Sequence, residues 1–303
     1  SGGVTSIQVL HGSANVIGGQ NETIKLRYGT FDPDVLKMEG APSTIKIALG
    51  ENPTRVHGTN GGILPRTRMG VEFVIRKAFT DAKEYAQLWD KYNKDKALKG
   101  FRGMPPAYSL RLETIADILK GNIIIQCHSY RADEISMMLK VCKDFGIRRI
   151  VFQHANEGFK VAPELAAQGA MVSVFSDRWG YKFEVYYSTA YNAAILTRNG
   201  VVTSLSSDDG EILRHLYHEA SKVLKYGGLT DNEALSLITI NPARQLGIDN
   251  RVGSLEEGKD ADIAIFKGHP LSIYAIPVFT IVDGIVRFDR EKDASDMRLI
   301  VDS

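Results

Sequence analysis

Three side chains able to bind a metal ion each stand at the end of a run of β-forming residues. His128 follows residues 123–127, His154 follows residues 150–153, and Asp208 follows residues 201–207. Imidazole is a common zinc ligand, and a carboxylate can bind a metal or accept a proton. One such histidine is more often structural, but two on successive strands favour a metal site. Asp208 alone is typical of a helix N-cap, so it becomes a candidate ligand and general base only beside the histidines.

The elements that must position these residues alternate along the second half of the chain. Strand patterns at residues 123–125, 149–152, 171–175 and 201–205 are separated by polar and helical sequence. This alternation predicts parallel βαβ units, and four such strands in half the chain suggest a barrel of eight. In a barrel the strands end at one open face, where catalytic groups gather.

The first half of the chain carries weaker signals. Residues 5–10 and 44–49 predict two more strands, with residues 23–27 a further short strand between them. Residues 51–70 lack periodicity and predict a long loop over the barrel mouth. Residues 72–98 predict a helix. The apolar side chains at helical spacing that we expect to pack in the core are Phe73, Ile75, Ala78, Phe79, Ala82, Tyr85 and Trp89.

The pattern changes after residue 246, where short strands and glycine-containing turns replace the alternation. Strands are predicted at residues 263–266, 279–282 and 285–288, with a turn at Asp283-Gly284. We therefore divide the chain into an α/β barrel of strands two to eight at residues 1–246 and part of a small β-sandwich domain at residues 247–303.

Composition limits the classes of partner. The chain has 303 residues, 44% of them hydrophobic and 24% charged, which is typical of a globular protein. Because 37 basic residues nearly balance 36 acidic ones, we expect no nucleic-acid partner, and a small-molecule or peptide substrate is favoured. No apolar run reaches the roughly 18 residues of a membrane span, so no membrane partner is expected. Neither Cys127 nor Cys142 indicates a compartment, so the localisation stays open.

A family resemblance comes from the second half of the chain. Residues 227–235, 241–243 and 251–262 resemble the closing segment of imidazolonepropionase-like members of the amidohydrolase superfamily. The first 53 residues contain shorter runs that resemble a poorly characterised, peptidase-like branch. The resemblance implies a (β/α)8 TIM-like barrel in which strands five, six and eight end in His128, His154 and Asp208. It also implies a hydrolase of C–N bonds that uses one or two divalent ions, zinc above all.

The resemblance leaves one metal ligand open. In this superfamily, strand four supplies a bridging ligand, often a lysine carboxylated by carbon dioxide. Lys46 resembles that lysine by motif, and Glu51, at the end of the same strand, is the alternative that needs no modification. In the implied mechanism, metal-bound water attacks the carbonyl, and Asp208 accepts its proton and returns it to the leaving nitrogen.

Candidate substrate-binding residues follow two of the strands. Arg178 and Lys182 come after the strand at residues 171–175 and could pair with a substrate carboxylate. Tyr130 and Arg131 directly follow His128 and belong to the same group of candidates.

The chain departs from the family at its start. Family members open the barrel with a His-x-His pair, which is missing here, and the chain begins at Ser1 without a methionine. We therefore expect a chain that lacks the first barrel strand and the N-terminal region that would carry any signal peptide. Exposed strand edges would then favour a homo-oligomer or association with that missing segment. The alternatives are an inactive barrel that serves as a binding module and a cyclic amide hydrolase.

Overall fold

The computed structural model describes residues 1–293, which form two β-sheets and the helices around them. The larger sheet places its strands side by side in chain order: β1 (Ser6–Val9), β2 (Ile17–Lys25), β3 (Thr44–Ala48), β4 (Ile124–Ser129), β5 (Ile150–His154), β6 (Met171–Val174) and β7 (Thr203–Leu205). Strands β3 to β7 are parallel, whereas β1 and β2 are antiparallel. The α/β class is confirmed, with a curled sheet of the TIM-like type and a separate small sheet.

The helices connect the parallel strands and cover the sheet. They are α1 (Pro33–Leu36), α2 (Glu51–Pro53), α3 (Arg68–Lys96), α4 (Leu110–Lys120), α5 (Ala132–Phe145), α6 (Ala162–Ala167), α7 (Asn192–Arg198), α8 (Leu216–Gly227), α9 (Asp231–Ser236), α10 (Ile240–Leu246) and α11 (Arg290–Asp293), with a π-helical turn at Thr54–Asn60. Gly121 and Gly146 end α4 and α5 in the left-handed conformation, which turns the chain toward the next strand. Among the described helices, none is long and apolar enough to cross a membrane.

The core lies between the parallel strands and the helices packed on them. Every residue of β3, β4 and β5 is buried, as expected for strands covered on both faces. The predicted helical stripe of α3 is buried at five positions, but Phe73 is exposed and Trp89 is only partly buried. For these two aromatic residues the core prediction was wrong: Phe73 lies on the far side of the helix from Ile75, about 200° around the axis, and Trp89 lies beyond Tyr85, the last buried residue of α3.

The structure corrects two expectations about the first half of the chain. Residues 51–60 are helical turns, α2 and the π-helical turn, where a loop was predicted. The short strand predicted at residues 23–27 is the end of β2, which pairs with both β1 and β3. The first half of β2 was missed because Gly18 and Gly19 interrupt the alternation of apolar and polar residues.

The two edges of the larger sheet differ. At the β7 edge, the Thr203 carbonyl accepts a hydrogen bond from Asn241, and the Leu205 amide donates to the Leu237 carbonyl. Strand β1 pairs only with β2 among residues 1–293, so its other edge has no strand partner there. Association with another chain at that edge stays a prediction.

The small sheet confirms the three strands predicted near the end of the chain. It consists of β8 (Ile263–Lys267), β9 (Ile276–Val282) and β10 (Ile285–Asp289), all antiparallel, with β9 in the centre. Asp283 and Gly284 both have positive φ values, which suits a tight hairpin turn. Residues 294–303 of the predicted β-domain lie outside the described residues.

One fully buried lysine joins the two sheets. Lys25, at the end of β2, places its Nζ 2.6 Å from Asp260, 3.0 Å from Asp262 and 2.5 Å from Asp283. Burial alone would lower the pKa of Lys25, but hydrogen bonds to the three carboxylates raise it overall. The lysine therefore stays charged and holds the turn regions of the small sheet against β2.

Replacing Lys25 should destabilise the protein far more than replacing an exposed lysine nearby. Lys25→Met leaves the buried carboxylate of Asp262 without a cation, whereas Asp260 and Asp283 keep Arg251 and Arg27, and the free energy of unfolding should fall by about 3–5 kcal/mol. Lys37→Met, which removes an exposed ion pair with Glu22, should lower it by less than about 1 kcal/mol. Urea denaturation followed by circular dichroism measures both, and equal losses would contradict the role of Lys25.

Candidate functional site

The two histidines lie at the ends of adjacent parallel strands, as predicted, and their rings are in contact. The ring centroids of His128 and His154 are 4.7 Å apart, with the ring planes at 75°. Both residues are buried. The pairing of β4 with β5 aligns Ser129 with His154, so the histidines are offset by one residue. The two histidines therefore do not face each other directly across the strand pair.

A left-handed backbone compensates for that offset. Alternate residues of a strand point to opposite faces, so a regular His154 aligned with Ser129 would point away from His128. His154 has a φ of 69° and Ala155 a φ of 36°, which breaks the alternation at the strand end. Non-glycine residues rarely adopt this conformation, and such residues cluster at functional sites.

The imidazoles are held in their neutral form. Burial lowers the pKa of His154 to about 3, and the positive charges of Lys46, Lys182 and Arg178 add to the effect. Burial, His154 and the two lysines lower the pKa of His128 well below its usual value. A neutral imidazole keeps the lone pair that metal binding requires.

Lys46 and Asp208 act on each other electrostatically near the imidazoles. Lys46 is buried in β3, and burial lowers its pKa, an effect partly offset by the charge of Asp208. Asp208 has a φ of 45° in the loop after β7, at a position that is exposed overall. Its carboxyl is nevertheless desolvated enough to raise the pKa, although Lys46 and Arg178 oppose that shift.

Glu51 occupies a different environment from Lys46. Its side chain is partly exposed and lies 3.8 Å from Arg55, one helical turn further on. Lys46 forms no ion pair within residues 1–293. Of the two alternatives for the bridging ligand, Lys46 is the one whose burial and charge connect it to the imidazoles. The choice between them stays a prediction.

The fit of a metal ion to these residues is partial. Nδ1 of His154 is buried and has no hydrogen-bond partner, and two neutral imidazoles lie side by side. Within residues 1–293, however, no three His, Cys, Asp or Glu side chains lie close enough together to hold a metal. The structure thus unites His128 and His154 but does not bring Asp208 into a ligand set with them. Carboxylated Lys46 would be a third ligand of another chemical type.

Lys182 belongs to the site, but its charge is already balanced by the protein. Its Nζ lies 2.9 Å from Glu184, 3.3 Å from the side-chain Oδ1 of Asn52 and 4.1 Å from the centre of the Tyr130 ring. The side-chain Nδ2 of Asn52 in turn lies 3.3 Å from Nε2 of His128. Lys182 therefore fixes the surroundings of His128, which makes it a weaker candidate for an unpaired substrate anchor.

Arg178 and Arg131 differ in whether a carboxylate of the protein pairs with their charge. Arg178 lies 4.8 Å above the Phe175 ring, and that ring stacks on His154 at 4.9 Å. Among the described residues, Arg178 has no ion-pair partner. Arg131 is exposed and forms a two-point hydrogen bond with Asp133. Of the two predicted arginines, Arg178 is thus the one that lies beside the imidazoles and forms no ion pair among the described residues.

The remaining predicted residue, Tyr130, lies against both histidines. Its ring centre is 4.8 Å from His128 and 5.4 Å from His154, and its hydroxyl accepts a hydrogen bond from Tyr181 at 3.3 Å. Burial and the bond with Tyr181 raise the pKa of Tyr130, so it stays a neutral phenol.

Sequence reasoning missed the residues that support the site. Glu184 is buried and accepts hydrogen bonds from the Glu51 amide at 2.8 Å and from Arg68 at 2.6 Å. Burial would raise the pKa of Glu184, but Lys182 and Arg68 lower it overall. Asn52 was considered only as part of the segments used for family resemblance and for the predicted loop. Glu184 has no local sequence pattern that would predict its partners, which are more than 100 residues away.

Comparison with known proteins gives consistent matches. A family model described as "Amidohydrolase family" matches residues 70–288. Amidohydrolase tasK of Hapsidospora irregularis is 32% identical over 306 aligned residues, covering 95% of this chain and 31% of that protein. Imidazolonepropionase of Thermoplasma volcanium is 36% identical over 76 residues, covering 24% of this chain and 19% of that enzyme. This chain therefore spans less than a third of tasK.

A solved structure extends the match to the fold. The crystal structure of an amidohydrolase from Thermotoga maritima superposes with a TM-score of 0.85 at 32% identity. The superposition covers 95% of this chain and 73% of that one. The fold of this chain therefore follows that of a solved amidohydrolase over nearly its whole length.

The low pKa of His154 should make stability fall in acid. Between the pKa of an unfolded histidine, about 6.5, and the folded value of about 3, the unfolded state binds a proton that the folded state does not. The free energy of unfolding should therefore decrease by roughly 1.4 kcal/mol per pH unit from this residue as the pH falls through that window.

The variant His154→Asn tests this expectation, because asparagine tolerates a left-handed backbone but does not titrate. Urea denaturation at pH 7, 6, 5 and 4 should give a shallower decrease for the variant than for the wild type. Parallel decreases would show that His154 titrates normally in the folded protein.

Proposed function

Because this chain belongs to the amidohydrolase family, we propose that its site is that of a metal-dependent hydrolase that cleaves C–N bonds of amide or peptide-like substrates. The observation that carries the proposal is the contact between two neutral, buried imidazoles at the ends of adjacent parallel strands. Carboxyl ends of barrel strands are where such enzymes place their catalytic groups.

The proposed metal ligands are His128, His154 and a carboxylated Lys46. A divalent ion, preferably zinc, would lower the pKa of a bound water and polarise the scissile carbonyl. The lowered pKa of Lys46 supports carboxylation, because only the neutral amine has the lone pair that attacks carbon dioxide. Bond formation releases one proton and leaves an anionic carbamate with two oxygen donors.

Asp208 is the proposed general base. Its raised pKa lies closer to neutral pH than that of an ordinary aspartate, which suits a group that accepts a proton and later donates it. The carboxylate would accept the proton of the attacking water and return it to the leaving nitrogen. Since Asp208 must be ionised to act, turnover should fall as the pH drops through its pKa.

Arg178 is the proposed anchor of a substrate carboxylate. Of the candidate substrate-binding cations, Lys182 and Arg131 are paired with carboxylates, whereas Arg178 has no ion-pair partner among the described residues. Guanidinium groups bind carboxylates through two parallel hydrogen bonds. N-acyl amino acids and short peptides are therefore the favoured substrates.

Two substitutions separate the base from a metal ligand. Asp208→Asn should reduce turnover of the full-length protein by at least about 100-fold, since the amide cannot accept a proton. His128→Ala should lower both turnover and bound zinc, because a ligand is lost. Atomic emission measures the bound zinc of each variant. Turnover is measured with a panel of N-acyl amino acids, Xaa-Pro dipeptides and cyclic amides. Near-normal turnover in Asp208→Asn would remove the proposed base.

A second pair of substitutions distinguishes Lys46 from Glu51. Lys46→Met removes the amine and should weaken zinc binding by at least about tenfold. Glu51→Gln, at a partly exposed position, should leave zinc binding nearly unchanged. Competition with a zinc chelator measures both affinities. The reverse order would make Glu51 the bridging ligand and would exclude carboxylation.

A further inference from the structure

Six exposed aromatic side chains follow strand β6 within thirteen residues. Every one is at least half exposed, from 52% for Tyr181 to 83% for Phe183. We call this group the aromatic rim: Trp179, Tyr181, Phe183, Tyr186, Tyr187 and Tyr191. Single exposed apolar residues are common on protein surfaces, but a contiguous apolar group is typical of a binding surface.

Three neighbouring rings of the rim form a continuous surface. The ring centres of Phe183 and Tyr186 are 6.2 Å apart, and those of Tyr186 and Tyr187 are 5.1 Å apart. Lys160, from the turn after β5, places its Nζ 4.1 Å from the centre of the Tyr187 ring. Faces and edges of several rings therefore remain available to stack on an apolar ligand.

One end of the rim reaches the imidazole pair. The Tyr181 hydroxyl donates to the Tyr130 hydroxyl, and the Tyr130 ring stacks on His154. The same segment contains Arg178, the proposed carboxylate anchor. A ligand bound at the imidazoles thus has an aromatic surface beside it.

Charge around the rim favours an anionic ligand. Arg178 and Lys160 lie at its edges, while the negative charge of Glu184 is buried and neutralised by Lys182 and Arg68. The rim therefore combines exposed rings with two cations: Arg178, which is half-buried, and Lys160, which is exposed and also pairs with Glu157. This combination matches an amphipathic anion better than a neutral or cationic molecule.

We propose that the aromatic rim is an extended subsite that binds the bulky apolar group of an N-acyl amino acid, whose carboxylate pairs with Arg178. The proposal rests on the function proposed above and narrows its substrate class. Compounds with an aromatic acyl group would bind more tightly than their acetyl counterparts, because only the former reach the rim.

The experiment compares N-phenylacetylglycine with N-acetylglycine, which differ by one phenyl ring. Binding is measured by isothermal titration calorimetry on the full-length protein in the Asp208→Asn background, where hydrolysis does not interfere. The phenylacetyl compound should bind about fivefold to tenfold more tightly, the contribution of one or two aromatic contacts.

Two double variants test the location of that preference. Phe183→Ser with Tyr186→Ser should remove the preference and leave the binding of N-acetylglycine unchanged. Phe31→Ser with Tyr274→Ser removes two aromatic residues outside the rim that are even more exposed, and it should have no effect. Loss of the preference in the second variant, equal affinities in the parent protein, or no binding of either compound would overturn the proposal.

Two further measurements separate this proposal from its alternatives. If the preference is present but the enzyme with Asp208 hydrolyses neither compound nor any member of the substrate panel described above, the proposed function fails and the rim assignment survives. Sedimentation velocity of the parent protein and of the rim variant tests a different occupant. A dimer that the rim substitutions dissociate, with ligand affinities unchanged, would make the rim a contact between copies and overturn the proposal.

Discussion

The arrangement of the site depends on the hydrogen bonds and the ion pair formed by the buried carboxylate of Glu184. It receives hydrogen bonds from Arg68 at the start of α3 and from the Glu51 amide, and it forms an ion pair with Lys182. The segments that contain Glu51, Arg68 and Lys182 therefore all contact the Glu184 carboxylate. A buried carboxylate without a partner would strongly destabilise the fold. The contacts of Glu184 therefore hold the three segments together. Lys182 then holds Asn52 beside His128.

The charges that surround the imidazoles explain their state. Lys46, Lys182 and Arg178 all disfavour protonation of His154, and burial acts in the same direction. The site thus combines neutral nitrogen ligands with nearby cations. Such surroundings favour anions, whether a substrate carboxylate or an ionised water. Desolvation raises the pKa of Asp208, and the charges of Lys46 and Arg178 partly oppose that shift.

Strand-end residues could be found from the sequence because β-branched runs reveal where buried parallel strands end. That rule identified His128 and His154, which end adjacent strands, and motif resemblance identified the family, whereas Lys46 as a ligand stays a prediction. The offset of one residue between the two histidines could not be predicted from the sequence, since register depends on how two strands pair and not on either strand alone. Glu184 was missed for a related reason: its partners are distant in sequence, and a glutamate in an aromatic loop has no local pattern.

The ion cluster of Lys25 has a consequence for synthesis of the chain. Its carboxylate partners lie 235, 237 and 258 positions further along. A ribosome releases the lysine long before it releases Asp260, Asp262 or Asp283, so β2 emerges with a cation that has no counter-ion. Contacts between residues so far apart close late and slow the search for the native topology. During elongation the contact between β2 and the small sheet therefore forms only after nearly all of the chain to Asp283 has been synthesised.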